Sequence, residues 1–385
     1  MAVAYYKQKV NCIMKKSKQR IITVLCAAAV FVCGVLAGAL FIPRTSESKL
    51  QQSLHISNPD NEYLVGSAVC QLSAESDALI LQAFSCIKNN VHMLLEKCED
   101  ETQPQWQLYK NSLGENEMYH NGKRIAIIAD IDDTLVTGVN YTADILGNNG
   151  DWNNAAFARY LMSDACTALP GAVDCMNYCK ENGIDVYYIS NRYDQGYKVG
   201  QKDSAGSYEQ YQKKHGNGDY VSNDGTLIGT SLYQLYGKSI YDISMESMRN
   251  LGFPIDEQHL IINDSKLNGT SKEEARQAVI NGCKDYSCGQ WKSKDSTDKM
   301  FTFSCEPHEV IMLLGDQMTD FTDAFDSGSP SPIDRKQLVS ALTGKFGSEW
   351  ILFPNAVYGN AMQSGLIYGP EKLFQEFSYT NPQVK

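Results

Sequence analysis

The chain has 385 residues, 43% of them hydrophobic and 21% charged, the balance of an ordinary globular protein. Six basic residues and no acidic ones fall before Pro43, which leaves 28 basic against 45 acidic residues beyond it, a net charge of −17. A surface so acidic repels nucleic-acid polymers; a small anionic ligand would have to be met by a locally positive pocket.

In chain order, residues 1–20 are basic and precede Ile21–Ile42, which carries no charge over 22 residues. Such a run with a basic flank is either a cleaved export signal or a membrane anchor. Ala37-Gly38-Ala39 suits signal peptidase, while the full run is also long enough to span, so both readings stand. Either way the basic flank puts the remainder outside the cytoplasm. Residues 43–62 are polar and patternless and read as a linker. The rest, 63–385, reads as one α/β domain. Its first helix spans Ser73–Lys97, with Ile80, Phe84, Ile87, Val91 and Leu94 recurring at three- and four-residue steps. Asp100–His120 reads as a polar connection.

Arg124–Leu135 reads RIAIIADIDDTL. The apolar run Ile125–Ala129 suits a central strand of a parallel sheet. It ends on Asp130, Asp132 and Asp133, carboxylates that repel one another and lose hydration unless a cation or shared protons relieve them. A hard divalent cation is the usual solution. A helix from about Ala168 to Asn182 leads to a second strand, Asp185–Ile189, ending in Ser190-Asn191-Arg192. Right-handed parallel crossover then brings Ser190 to the same sheet edge as Asp130. Arg192 pairs either with phosphate or with a surface carboxylate.

About 193–241 is long, rich in Tyr, Gly, Ser and Lys, and reads as an inserted lobe or loop. Its tyrosines either stack on a nucleobase or hold the lobe together. A helix over Met245–Phe253 leads to strand His259–Ile262. Ser271-Lys272-Glu273-Glu274 opens the next helix, placing Lys272 in a first turn where the helix dipole also favours anions. After a second insertion, about 281–305, the strand Glu309–Leu314 ends in Gly315-Asp316-Gln317-Met318-Thr319-Asp320. Two carboxylates four apart at a strand-to-helix turn suit one cation pocket.

Nine cysteines lie beyond the apolar segment. Cys175 and Cys179, four apart on a helix, read as core packing, and Cys283 and Cys288 as the local bridge across a short polar loop.

The motif Asp130-Ile131-Asp132-Asp133-Thr134, followed by Ser190, Lys272 and Asp316/Asp320, resembles the haloacid-dehalogenase-like (HAD) phosphatases. Gln71-Leu72-Ser73-Ala74-Glu75, Ile189-Ser190-Asn191-Arg192 and Trp350–Asn355 are similar to class C (non-specific) acid phosphatases. The resemblance implies a HAD-like Rossmannoid parallel sheet flanked by helices, with Asp130 the nucleophile and Asp132 the general acid/base. It implies that Ser190, Asn191 and Lys272 hold the phosphoryl group, with Lys266 as the fallback for Lys272. Mg2+ would be bound by Asp130, Asp132 (through its backbone carbonyl), Asp316 and Asp320. The implied function is an exported phosphomonoesterase acting on nucleoside monophosphates. A phosphotransferase on the same fold and a non-catalytic surface binding protein are the alternatives.

Overall fold

The structure, a computed structural model, describes residues 63–147, 154–192, 232–263, 271–292, 298–326 and 332–357. The basic segment, the apolar run 21–42, the linker and most of the 193–241 insertion lie outside the described residues. Among the described residues no helix is long and apolar enough to cross a membrane.

Helices α1 (Tyr63–Leu72) and α2 (Ala74–Glu99) come first, and Ser73 caps α2 by accepting from the Ser76 amide. The five apolar residues read as one stripe of α2 are all buried. Next come β1 (Trp106–Lys110), β2 (Asn116–His120) and β3 (Lys123–Ala129). Residues 100–120 are therefore not a plain connection: β1 and β2 form an antiparallel hairpin. Its polarity hid it, because only Trp106 and Met118 turn inward and the opposite face is left to solvent.

Helices α3 (Val139–Gly147), α4 (Asn154–Leu161) and α5 (Ala172–Glu181) lead to β4 (Asp185–Ser190). Then come α6 (Leu232–Tyr236), α7 (Ile240–Leu251) and β5 (Leu260–Ile262). Helix α7 starts before Met245 because Ser239 and Asp242 form a reciprocal capping box. Helix α8 (Lys272–Asn281) opens on Ser271, as its sequence pattern implies. The 281–305 insertion is a second antiparallel hairpin, β6 (Cys283–Lys292) and β7 (Asp298–Cys305). Strand β8 (His308–Gly315), α9 (Pro332–Ala341) and β9 (Trp350–Leu352) complete the described chain.

The main sheet runs β9-β8-β3-β4-β5, all parallel, with the β1–β2 hairpin joined to the start of β3. Helices α2, α5 and α7 cover one face, where Phe84, Ile127, Met176, Tyr188 and Met248 share a core. Helix α8 and the β6–β7 hairpin cover the other, over Ile128, Tyr187, Ile261, Val279 and Phe303. Chain order reverses at β3, which β4 flanks on one side and β8 on the other. Such a switch point leaves a crevice at the carboxyl ends of the strands.

The opposite sheet edge is pinned by buried charges. The Asp185 carboxylate accepts from Arg124 Nη2 (2.7 Å), contacts His308 Nε2 (3.1 Å) and lies 3.7 Å from His259 Nε2. His259 Nδ1 also meets Asp256 at 2.6 Å. Burial alone would lower the His259 pKa, but its hydrogen bonds to Asp185 and Asp256 outweigh this and push it up to about 9. Burial would raise Asp185, but the two histidines and Arg124 bring it below the usual carboxylate range. The folded protein thus holds the His259 proton more tightly than the unfolded chain does. Its contribution is fully present below about pH 6.5 and is lost as pH rises through about 9; that of Asp185 is present above about pH 4 and lost on acidification. Urea unfolding between pH 6 and 9.5 is expected to show stability falling by on the order of 1–3 kcal/mol, and His259→Gln should flatten that limb. Parallel pH profiles for the two proteins would contradict the assignment.

Candidate active site

The register of β3 against β8 builds the centre of the site. Ala129 pairs with Leu314, and the Asp130 amide donates to the Leu314 carbonyl at 2.9 Å, so both strands end side by side. Asp130 and Asp316 leave those ends into the crevice. After Gly315 the chain turns back so tightly that a Cβ at Gly315 would lie 2.3 Å from the Asp320 Cβ, which is why glycine stands there. One carboxylate oxygen each from Asp130, Asp316 and Asp320 can be chosen so that all three lie within 4.8 Å of one another, and all three residues are buried.

Lys272 comes to this cluster from the first turn of α8. Its Nζ donates to Asp130 Oδ1 and to Asp320 Oδ1, each at 2.6 Å. Burial alone would lower the ammonium's pKa; the two carboxylates outweigh it and hold the group protonated. Even so, one ammonium faces three carboxylates. Burial, reinforced by Asp320, Asp316 and Asp132, drives the Asp130 pKa well above the carboxylate range against the pull of Lys272. Burial and the neighbouring Asp320 and Asp133 push Asp316 up to about 7. Three buried carboxylate oxygens on one side of a crevice suit a hard divalent cation, so the residues present fit a metal.

The partners of Asp316 fix its direction. Asn355 Nδ2 and Gln317 Nε2 donate to Oδ2 (2.6 and 2.9 Å), and Thr134 Oγ1 donates to Oδ1 (3.3 Å). Asp320 Oδ2 accepts from the Gln317 amide at 2.9 Å. Arg276 of α8 donates from Nη1 to the carbonyls of Thr319 and Asp320, tying this turn to the helix that carries Lys272.

Asp132 has a different environment. Arg192 grips it in bidentate fashion, Nε to Oδ2 at 2.9 Å and Nη2 to Oδ1 at 2.7 Å, and donates from Nη1 to Ser244 Oγ at 2.9 Å. Phe157 lies under the guanidinium, 5.8 Å from its ring centre. Arg192 is thus a buried site residue rather than a surface ion pair or an exposed phosphate ligand. Its sequence position does not reveal this, because an arginine two residues past a strand end has no diagnostic spacing. Ser190 Oγ lies 3.4 Å from Asp132 Oδ2 and accepts from the Arg192 amide at 3.3 Å. Asn191 is exposed and its Oδ1 accepts from Asn263 Nδ2 at 3.0 Å.

Asp130, Asp132, Ser190, Asn191, Lys272, Asp316 and Asp320 all line one cavity of about 370 Å³. Phe157, Ile145 and Ile240 form an apolar part of its wall. Lys266 lies outside the described residues, whereas Lys272 reaches the cluster directly. Thr134 closes the first motif and Asn355 ends the Trp350–Asn355 stretch, but neither is given a site role by the sequence; they lie on the turn after β3 and on a loop after β9.

An Asp-x-Asp turn after the central strand of a parallel sheet, facing a lysine and two further aspartates, is an arrangement similar to that of phosphatases of the HAD superfamily. More narrowly, residues 51–215 match the family model described as HAD superfamily, subfamily IIIB (Acid phosphatase). That match includes Asp130, Asp132 and Ser190 and stops short of Lys272, Asp316 and Asp320, which the fold brings to the same cavity. Among solved structures the chain is similar to the class C acid phosphatase from Bacillus anthracis, at 20% identity, 82% coverage of this chain, 92% of that one and a TM-score of 0.48. It is also similar to a class C acid phosphatase from Bacillus anthracis with tungstate bound, at the same identity and coverages and a TM-score of 0.49.

If Arg192 serves to aim Asp132, replacing it should cost turnover more than binding. Arg192→Met is expected to lower kcat about 100-fold with a smaller change in KM, and Arg192→Lys to recover little, because an ammonium cannot reproduce the fork. Steady-state kinetics on variants with native circular dichroism would check this; full activity in Arg192→Met would refute it.

Proposed function

We propose that this phosphatase is a Mg2+-dependent phosphomonoesterase that works through an aspartyl-phosphate on Asp130, with nucleoside monophosphates as its substrates. The observation that carries the reading is the contact of Lys272 with both Asp130 and Asp320, in a cavity where Asp132 is held apart by Arg192. Two aspartates two residues apart thereby receive separate environments, as nucleophile and proton-transfer group require.

An Asp130 carboxylate oxygen attacks phosphorus in line with the ester oxygen; the new O–P bond forms as the ester O–P bond breaks. Asp132 gives its proton to the departing alkoxide. Water then attacks the aspartyl-phosphate, Asp132 takes a proton from it, and free Asp130 and inorganic phosphate are restored. Lys272 and Ser190, with Asn191 at the rim, supply positive charge and hydrogen bonds for the phosphoryl oxygens. Mg2+, bound through Asp130, the Asp132 backbone carbonyl, Asp316 and Asp320, would offset the carboxylate repulsion and let an anionic nucleophile meet an anionic ester.

The cavity volume falls within the range of small-ligand sites. Phe157, Ile145 and Ile240 offer an apolar surface to a leaving group, and Asn154 and Thr142 offer hydrogen bonds, features that favour a nucleoside over a sugar alone. The charge-free run 21–42 supports placing this site outside the cytoplasm.

The test is phosphate release from nucleotides, sugar phosphates and an aryl phosphate, with Mg2+ or with EDTA, at acidic and neutral pH. Mg2+-dependent release, fastest on nucleoside monophosphates, is expected. Asp130→Asn should reduce it by at least about 10³-fold without unfolding the protein. Release that survives EDTA would remove the metal from the proposal, and activity retained in Asp130→Asn would remove the nucleophile.

A further inference from the structure

We propose that Cys283 and Cys305 form a disulfide that staples the stem of the β6–β7 hairpin. The two residues are direct cross-strand partners, the first pair of the antiparallel ladder. Opposed residues in such a ladder have Cα atoms about 4.5–5.5 Å apart, inside the 4.4–6.8 Å window that a disulfide spans. In the reduced form each sulfur has a weak acceptor: Cys283 donates to the Phe303 carbonyl at 3.5 Å and Cys305 to that of Ala278 at 3.6 Å. Neither is sealed in the core, so an oxidant can reach them.

Other pairings fit less well. The bridge expected between Cys283 and Cys288 presupposes a loop, but both lie on β6. They lie five residues apart along one strand, and the ladder sets Cys305, not Cys288, opposite Cys283. Cys175 and Cys179 sit one helical turn apart with side chains fixed by α5, and both are fully buried. They stay reduced.

The co-reactant is a small-molecule disulfide such as oxidised glutathione. One protein thiolate, that of Cys283, attacks a glutathione sulfur, the glutathione S–S bond breaks and one glutathione thiolate leaves. Cys305 loses its proton and attacks the Cys283 sulfur of the mixed disulfide, expelling the second thiolate. The protein gives up two protons and two electrons, and oxidised glutathione becomes two thiols. Burial first, then the neighbouring Cys283, pushes the Cys305 thiol up to about 12. Closure is therefore faster at alkaline than at neutral pH.

The staple ties together the two ends of an insertion lying between α8, which carries Lys272, and β8, which leads to Asp316. It closes the hairpin into a covalent loop and leaves the catalytic cavity untouched, so it acts on stability and not on turnover.

The full chain, incubated with oxidised glutathione at pH 8.5 and then alkylated, should yield on non-reducing tryptic mapping a linked peptide pair containing Cys283 and Cys305. Cleavage after Lys284 separates Cys283 from Cys288, so the two pairings are distinguishable. Oxidation should raise the thermal midpoint by about 5 °C, a shift abolished in Cys283→Ser and in Cys305→Ser and kept in Cys288→Ser. Recovery of both cysteines alkylated after oxidation, or a link from either to Cys288, would overturn the proposal.

Discussion

The molecule is organised around one unfavourable act, the burial of three carboxylates at the ends of two adjacent strands against a single ammonium. Removing ionised groups from water costs several kcal/mol each, and only partners of opposite charge and fixed hydrogen bonds recover it. The β3–β8 register makes this unavoidable, since pairing Ala129 with Leu314 delivers Asp130 beside Asp316. Everything nearby serves that cluster. Lys272 answers two of the carboxylates, Asn355, Gln317 and Thr134 aim the third, and Arg276 fixes the turn that carries Asp320. A site built this way is one whose charge a bound cation would relieve.

The same economy separates the two aspartates of the first turn. Asp130 shares the buried cluster, while Asp132, two residues on, is turned toward Arg192 and Ser190. Directly after Asp132 the chain makes a tight turn in which Asp133 takes a left-handed conformation (φ 56°) and accepts from the Gly138 amide at 2.6 Å. Strain at a functional turn is tolerated when the surroundings over-determine it. Here the Leu135 and Val136 amides both bond to the Ile131 carbonyl and hold it closed.

Much of this was legible in the sequence because it depends on short-range pattern. An apolar run followed by polar residues marks a strand end, so sequence pattern alone places Asp130, Ser190 and Asp316 at one sheet edge. The α2 stripe and the Ser271 cap were equally local. What escaped is what depends on pairing across the chain. The hairpin of β1 and β2 has one solvated face and therefore little hydrophobic signal. Asn355 reaches Asp316 from 39 residues away, and the partner of Arg192 lies 60 residues upstream. Cys283 looks local to Cys288 by number but faces Cys305 across a ladder. Spacing along a chain does not report which strand lies alongside.

The central claim is that Asp130 becomes covalently phosphorylated, and trapping that species tests it most directly. Rapid acid quench of the enzyme during turnover of a radiolabelled phosphate ester, followed by peptide mapping, should find label that hydroxylamine releases, on the peptide containing Asp130. Label elsewhere, or product formed in the first turnover with no labelled protein at any time point, would mean that water attacks phosphorus directly and that Asp130 has another role.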